Sequence, residues 1–594
     1  MLTRLESKLH HLAGHRRLVI LLAAVTPLIL RGLVLPLLPV PQPRVQDEFS
    51  HLLVADTFAH GRLVNPTHPM AVHFESMHML VTPVYGSAFP VAPGLAMAAG
   101  QLLIGHPWAG VWLAIAFMSG ALCWMLYGWL PARWALAGAA VAVIRFTVLS
   151  YWMNSYYGGA MAAAGGALVL GALPRLQRRR RWQDAALMAA GFAILANSRP
   201  YEGVVFGIPL LAALVWTMVG QAVSSAGKRR SLLRVAVPLL LILTVTAAAM
   251  AIYNFRFSGN PLQLPYAFYR ATFTMAPHFI FQSPRPEPLY HHRVLHDFHV
   301  GWEMNCYREA RGNLPPRGFL QKAVSYWRFF LGPFLSVPLL ALPWLWKRRR
   351  TRFLLLLAAL MLPALLVEVW HAPHYAAPAT GLALLLAFEG FRHLRIRAGR
   401  WPVRVLLAAC FLTPVIGGSP WVEGGAARAR IVEQLSATPG RHLILVRYTR
   451  THDVGDEWVY NAARIDSAPI VWAREMDPTS NQEIVRYFND RRVWLVQPDR
   501  QPPLLTPWDP ANAPDPPFRF VKLGTDAITV LRSVDEVRRK IPHAGQALSC
   551  DRWNFLFEQA TGVEAPDPHG CYSPAPRAQL VTFDHWFTWL VSQR

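Results

Sequence analysis

The sequence predicts a polytopic α-helical membrane protein that carries a C-terminal α/β domain outside the membrane. Three observations predict it. Of 594 residues, 53% are hydrophobic and only 15% charged, too apolar and too long for one ordinary soluble domain. Apolar runs recur at the length needed to cross hydrocarbon, roughly 17 to 25 residues. Basic clusters at 178–181, 228–230, 347–352 and 392–404 fall between those runs, and cytoplasmic loops collect Lys and Arg.

The N-terminal 17 residues are basic and mixed, and an apolar run follows over 18–40. That run is too long for a signal-peptide core and ends without a small-residue cleavage site, so it reads as a retained first span. Further spans are expected at 107–129, 132–150, 157–174, 184–198, 203–222, 234–254, 326–346, 353–370, 375–391 and 404–419. About eleven crossings from a cytoplasmic N-terminus place every strong basic cluster inside and both long polar segments outside. An additional crossing at 89–105 would invert every later loop, so that stretch reads as a helix lying on the outer surface. The external loops then run over about 41–106 and 255–325, and loops of that length are uncommon unless functional. The membrane part occupies residues 1–420.

Beyond it, residues 421–534 alternate strand and helix patterns. Strands are expected at 443–446, 470–472 and 493–496, a polar helix at 458–465 and another at 482–489, which suggests a small α/β domain with a partly parallel sheet. Residues 498–517 form a proline-rich connector, and 535–594 an aromatic cap.

The net charge of +24 would suggest nucleic acid in a soluble protein. Here much of it lies beside spans, where it sets orientation and meets anionic lipid, so no nucleic-acid partner is expected. Five cysteines show no metal-type pair. Cys123 and Cys410 lie in apolar runs and read as packing residues, whereas Cys550 and Cys571 lie in the external part and are candidates for a disulfide.

The polar motifs converge on the external face. Asp47 and Glu48 follow the first span closely, after Pro41 and Pro43. A carboxylate desolvated there has a raised pKa and is a usable base towards a hydroxyl; an acidic cap on the following helix is the other reading. Arg199, Tyr201 and Glu202 surround Pro200 at the end of a span. Arg199 there suits a lipid phosphate, with Glu202 orienting it or binding sugar hydroxyls, or the two form an interfacial ion pair. Arg31 and Arg145 fall within spans, facing a cavity or snorkelling outward. Asn254 and Arg256 open the second loop as candidate phosphate contacts. Tyr156, with Trp152 and Tyr157, suits stacking on a sugar or an interfacial aromatic belt. Glu368, His371, His374 and Tyr375 cluster at an external turn, and Glu48, His371 and His374 are the candidates for a divalent metal. Hydrogen bonding to sugar or phosphate and interfacial packing remain open for the same histidines.

Asp47-Glu48-Phe49-Ser50, then Asp56 to Leu63, Asn65-Pro66-Thr67-His68-Pro69, His73 to Ser76, Asn154 to Tyr157 and Arg199 to Gly203 together resemble the GT-C superfamily. These are membrane glycosyltransferases that use polyprenyl-phosphate sugars, including the protein mannosyltransferase and lipid A aminoarabinose transferase types. The resemblance covers most of residues 1–420. It implies a catalytic carboxylate at Asp47, with Glu48 beside it. It also implies inverting transfer from a polyprenyl-phosphate monosaccharide to a lipid, glycan or protein acceptor, at the periplasmic face of a bacterial inner membrane. No cofactor is required by it, and a divalent metal stays open. One departure stands out: the family's surface helix opens with a basic residue and a proline pair, where this chain has Ala88-Phe89-Pro90-Val91.

Two other classes compete with this reading. A lipid-linked glycan transporter or flippase predicts symmetry between halves, and none is visible. A non-catalytic scaffold with an exported binding domain leaves Asp47 and Arg199 without a role.

Overall fold

A computed structural model describes residues 2–222, 226–288, 290–312, 317–412, 425–449, 451–510, 548–561, 571 and 581–592. Helices dominate the first two thirds of the chain: α1 Leu2–Gly14, α2 Arg16–Leu33, α3 Gln46–Ala59, α4 Ala92–Ile104, α5 Pro107–Trp129, α6 Ala132–Phe146, α7 Ala160–Arg179, α8 Trp182–Ala196, α9 Pro200–Ala222 and α10 Ala226–Ser258. Among the described residues three helices are long and apolar enough to cross a membrane, 107–129, 200–219 and 232–258, and a fourth if the bent pair 318–330 and 332–345 counts as one span. Of the about eleven expected crossings, three or four meet that test of length and composition among the described residues.

Local chemistry explains where the helices fall short of the expected spans. α2 stops at Leu33 because the Arg31 side chain captures the carbonyls of Leu38 (2.5 Å) and Pro39 (2.9 Å), folding the following turn back. The expected span at 326–346 bends by 96° at Gly332, whose φ of 60° lies in the left-handed region and which is followed by Pro333. α5 and α7 are buried through most of their length. In contrast, α10 shows Val237, Leu240, Leu241, Val245 and Ile252 to the outside, each more than half exposed, as a lipid-facing helix would. The expected span at 404–419 is a helix over Arg400–Cys410, and residues 413–419 lie outside the described residues.

The stretch at 89–105 is the short helix α4, as the loop placement expects. It crosses α5 backbone to backbone: a Cβ on Gly100 would sit 2.0 Å from the Gly110 nitrogen. Only glycine permits that approach. α4 also packs on α3 and so fixes the helix that carries Asp47. Between them runs a three-stranded antiparallel sheet, β1 Asn65–Pro66, β2 Met79–Leu80 and β3 Val84–Ser87, in the order β1-β3-β2.

The C-terminal unit is an α/β sheet of four strands, β4 Arg441–Val446, β5 Ile470–Arg474, β6 Arg491–Gln497 and β7 Leu504–Pro507, ordered β5-β4-β6-β7. β4 pairs parallel to β5 and β6, and β7 is antiparallel. The helix expected near 482–489 spans Pro478–Tyr487, with the Asp477 side chain capping Ser480. No helix forms at 458–465. Its backbone partners lie elsewhere: the Asn461 side chain exchanges two hydrogen bonds with Trp472, and Ala463 N–H donates to Asp56 Oδ2 at 2.8 Å. Cys550 and Cys571 are bridged, against a core of Trp553, Phe583 and Trp586. Much of the connector and cap, 511–547 among it, lies outside the described residues.

Candidate active site

The two neighbouring carboxylates take different jobs. Glu48 turns back on the start of α3, where Oε2 accepts the N–H groups of Arg44 (2.8 Å) and Val45 (3.2 Å) and Oε1 accepts that of Tyr156 (3.1 Å). Three backbone donors leave it as a buried helix cap. Glu48 is thus engaged as the acidic cap of the following helix.

Asp47 has no hydrogen-bond partner on its buried Oδ1, which lies 3.4 Å from His78 Nε2. Its side chain as a whole is 33% exposed, so one oxygen is walled off while the other edge stays open. Surrounding protein pushes the carboxyl up to about 7; the Arg199 charge opposes that rise, and Glu48 and Glu303 add to it. A carboxyl near neutrality, with an open edge, is suited to accept a proton.

Arg199 precedes α9, and the proline at the first helical position explains the turn that presents it. Its guanidinium lies 4.2 Å over the Tyr375 ring and 3.6 Å from Glu202 Oε1, and it is 26% exposed. Glu202 and Glu368 are both buried, and the Oε1 of each makes no hydrogen bond. Glu368 Oε2 faces His278 Nε2 at 3.5 Å. The 367–369 segment reaches this place because it pairs with the second loop: Ile280 N–H donates to Val367 O and Val369 N–H to His278 O, both at 3.0 Å. Asp47, Arg199, Glu202, Glu368, His278 and Tyr375 thus form one electrostatically connected group.

Structures with a similar chain path are known. The oligosaccharyltransferase of Archaeoglobus fulgidus, solved in complex with Zn and sulfate, is 11% identical over 81% of this chain and 67% of its own, with a TM-score of 0.45. ArnT from Cupriavidus metallidurans in the apo state is 14% identical over 86% of this chain and 95% of its own, with a TM-score of 0.44. The same ArnT bound to undecaprenyl phosphate gives 13%, 80%, 92% and 0.44. No protein-family model and no curated protein sequence matches this chain.

Several other residues singled out from the sequence bond to the backbone around them. Arg145 donates to the carbonyls of Phe329 (2.8 Å) and Arg328 (2.5 Å), and Arg31 braces the turn after α2 under the Trp108 ring. Asn254 holds the Pro261 carbonyl at 3.0 Å, whereas Arg256 is exposed. Tyr156 Oη donates to Pro41 O, fixing the approach to α3, and Tyr201 Oη donates to Ala364 O. His374 is buried against the Tyr151 hydroxyl at 3.0 Å, while His371 is exposed. The expected metal set of Glu48, His371 and His374 is not assembled. Among the described residues no three His, Cys, Asp or Glu side chains come together as a metal site.

Three participants were not singled out from the sequence: His78, His51 and His278. His51 lies one turn after Asp47 with its ring stacked on Phe89 at 5.0 Å, and its Nδ1 is buried without a partner. Burial holds His51 and His78 down to about 3 and His278 to about 4, so all three are uncharged near neutrality. His51 follows Asp47 at helical spacing on α3, whereas His78 and His278 are brought in by tertiary folding of the two loops and nothing in their spacing marks them.

Proposed function

We propose that the chain is an inverting glycosyltransferase. It takes a monosaccharide from a polyprenyl-phosphate donor and passes it to an envelope lipid, glycan or protein at the periplasmic face of a bacterial inner membrane. The observation that carries this reading is Asp47 itself, its Oδ1 buried beside His78 and the rest of its side chain open, with the charge of Arg199 acting on it. Asp47 accepts the proton of an acceptor hydroxyl as that oxygen bonds to the anomeric carbon. The bond from that carbon to the phosphate oxygen breaks, its electron pair stays with the phosphate, and Arg199 faces the charge that develops there. Glu202, 3.6 Å from the guanidinium, orients Arg199. The GT-C resemblance of the first loop supports the assignment of Asp47, since that motif places the superfamily's carboxylate at this position.

A scaffold reading accounts for neither the raised Asp47 carboxyl nor the adjacent cation. The test is complementation of a deletion strain with wild type or Asp47→Asn, with mass analysis of envelope lipids and glycans. Loss of one defined sugar, restored by wild type but not by the variant at equal protein level, is expected. Restoration by the variant would overturn the proposal.

A further inference from the structure

Four side chains of the second loop form a buried chain that the transfer step does not use. Arg270 pairs with Glu303 at 3.3 Å, and Glu303 Oε2 lies 2.7 Å from His299 Nδ1. His299 Nε2 lies 2.9 Å from Tyr269 Oη, and Tyr269 Oη accepts the backbone N–H of His78 at 2.8 Å. All four are 3% exposed or less. The donor directions follow in order. An ionised Glu303 can only accept, so His299 carries its proton on Nδ1. His299 Nε2 meets the Tyr269 hydroxyl, whose oxygen takes the His78 N–H. Burial opposes the charge on Glu303, but His299 and Arg270 outweigh it and hold that carboxyl below its ordinary range.

At the far end of this chain His78 has a φ of 59°, a left-handed conformation uncommon for a residue with a side chain. Such strain persists only where the surroundings fix it. Here they do: the His78 carbonyl accepts Ser50 Oγ (2.8 Å) and Ala88 N–H (2.9 Å), so both of its backbone polar groups are tied. The ring is enclosed by Phe89 and Phe298, with Nε2 against the buried Asp47 Oδ1.

Resting on the proposed transfer, we propose that His78 is a positioning residue for Asp47. The Arg270–Glu303–His299–Tyr269 chain pins its backbone so that the uncharged imidazole covers one carboxylate oxygen and leaves the other to the acceptor. Besides His78, the titratable groups acting on Asp47 are Arg199, Glu48 and Glu303, together with the phenols of Tyr157, Tyr266 and Tyr375. None of them replaces the imidazole at Oδ1.

The test is the pH–rate profile of transfer by the full-length protein, with kcat and donor KM, for wild type, His78→Ala, His78→Asn, Tyr269→Phe and Asp47→Asn. Removing the ring admits water to Oδ1, so the acid limb moves to lower pH. Misdirection of the base lowers kcat about ten- to a hundredfold, while donor KM holds because Arg199 is untouched. Tyr269→Phe keeps its shape but removes the acceptor for the His78 N–H, and moves the limb the same way. His78→Asn, whose side chain tolerates the left-handed conformation, recovers part of kcat. If the His78→Ala and Tyr269→Phe profiles superimpose on wild type, or kcat falls with the limb unmoved, the inference is overturned while an inactive Asp47→Asn leaves the transferase reading standing. An active Asp47→Asn overturns both.

Discussion

The guanidinium of Arg199 lies over the ring of Tyr375, 4.2 Å from its centre, and stops 3.6 Å short of Glu202 Oε1. It is held by stacking more than by hydrogen bonds, which leaves its donors available to an anionic group. Arg199→Lys keeps the charge but loses the planar fork and the stacking. Both Arg199→Lys and Arg199→Ala are expected to lower transfer about 10²- to 10³-fold, the usual cost of removing a stabiliser of transition-state charge. Steady-state kinetics with purified donor checks this; a Lys variant as active as wild type would show that only net charge matters.

Asp47 and Glu48 are adjacent yet should respond oppositely to loss of charge. Folding raises the Asp47 carboxyl to about 7. The folded state therefore binds a proton there that the unfolded chain has lost, and the stability tied to this group falls as pH rises from the ordinary aspartate range to about 7. Transfer, which needs the carboxylate, rises over the upper end of that interval. Asp47→Asn should abolish transfer while giving a melting temperature at pH 8 at or above wild type. Glu48→Ala strips three backbone N–H groups of their acceptor, at about 1–3 kcal/mol for each left unpaired. Its melting temperature should fall. Thermal denaturation in detergent at pH 6 and pH 8 separates the two.

The acidic stretch Asp453, Asp456 and Glu457 reads from sequence as a solvated loop, but Glu457 is buried. It pairs with Arg474 at 2.7 Å and accepts Ser76 Oγ from the first loop. Burial alone would raise Glu457; Arg474, the Val459 N–H and the Tyr448 and Ser76 hydroxyls hold it below its ordinary value. Arg474 also donates to Glu75 O, so the α/β domain clasps the segment leading to His78. Removing either partner leaves a buried charge alone, worth about 3–5 kcal/mol. Glu457→Ala should lower both thermal stability and transfer, and Glu457→Gln should do less damage. Limited proteolysis within 65–80 reports whether the first loop has been released.

What could be read in the chain and what could not follows the range of the interactions. The carboxylate pair directly after an apolar run and two prolines is a local signal that leaves a base and a helix cap both open, and only the GT-C resemblance points to Asp47 as the base. The cap at Glu48 is local through Arg44 and Val45, whereas its third donor, the Tyr156 N–H, lies over a hundred residues away. His371 and His374 suggested a shared ligand at helical spacing. Yet Ala372 is extended (φ −137°, ψ 150°) and the 3₁₀ turn begins only at Pro373, so one ring is buried and the other exposed. The parallel strands of the α/β domain were visible as apolar runs, whereas residues 458–465 carry a helix-like composition whose backbone is satisfied by Asn461, Asp56 and Glu457 instead.

Orientation gives the last prediction. The first loop and the α/β domain touch through Arg44 and Asp453 (3.2 Å), His73 and the Arg474 carbonyl (2.9 Å), and Tyr85 and the Asn461 carbonyl (2.6 Å). They must therefore lie on one face of any membrane the helices cross. The basic residues gather away from that contact: Arg178 lies near Arg350, Arg395 near Arg133 and Arg400, and Arg404 pairs with Glu6. The positive-inside rule assigns that gathering to the cytoplasm, which sends Asp47 and Thr438 to the opposite side. A reporter active only outside should work when joined after Thr438 and fail after Gln177, with a cytoplasmic fluorescent reporter giving the reverse. Equal behaviour at the two sites would be incompatible with this arrangement, because it would place the cationic end and the catalytic loop on the same side of the bilayer.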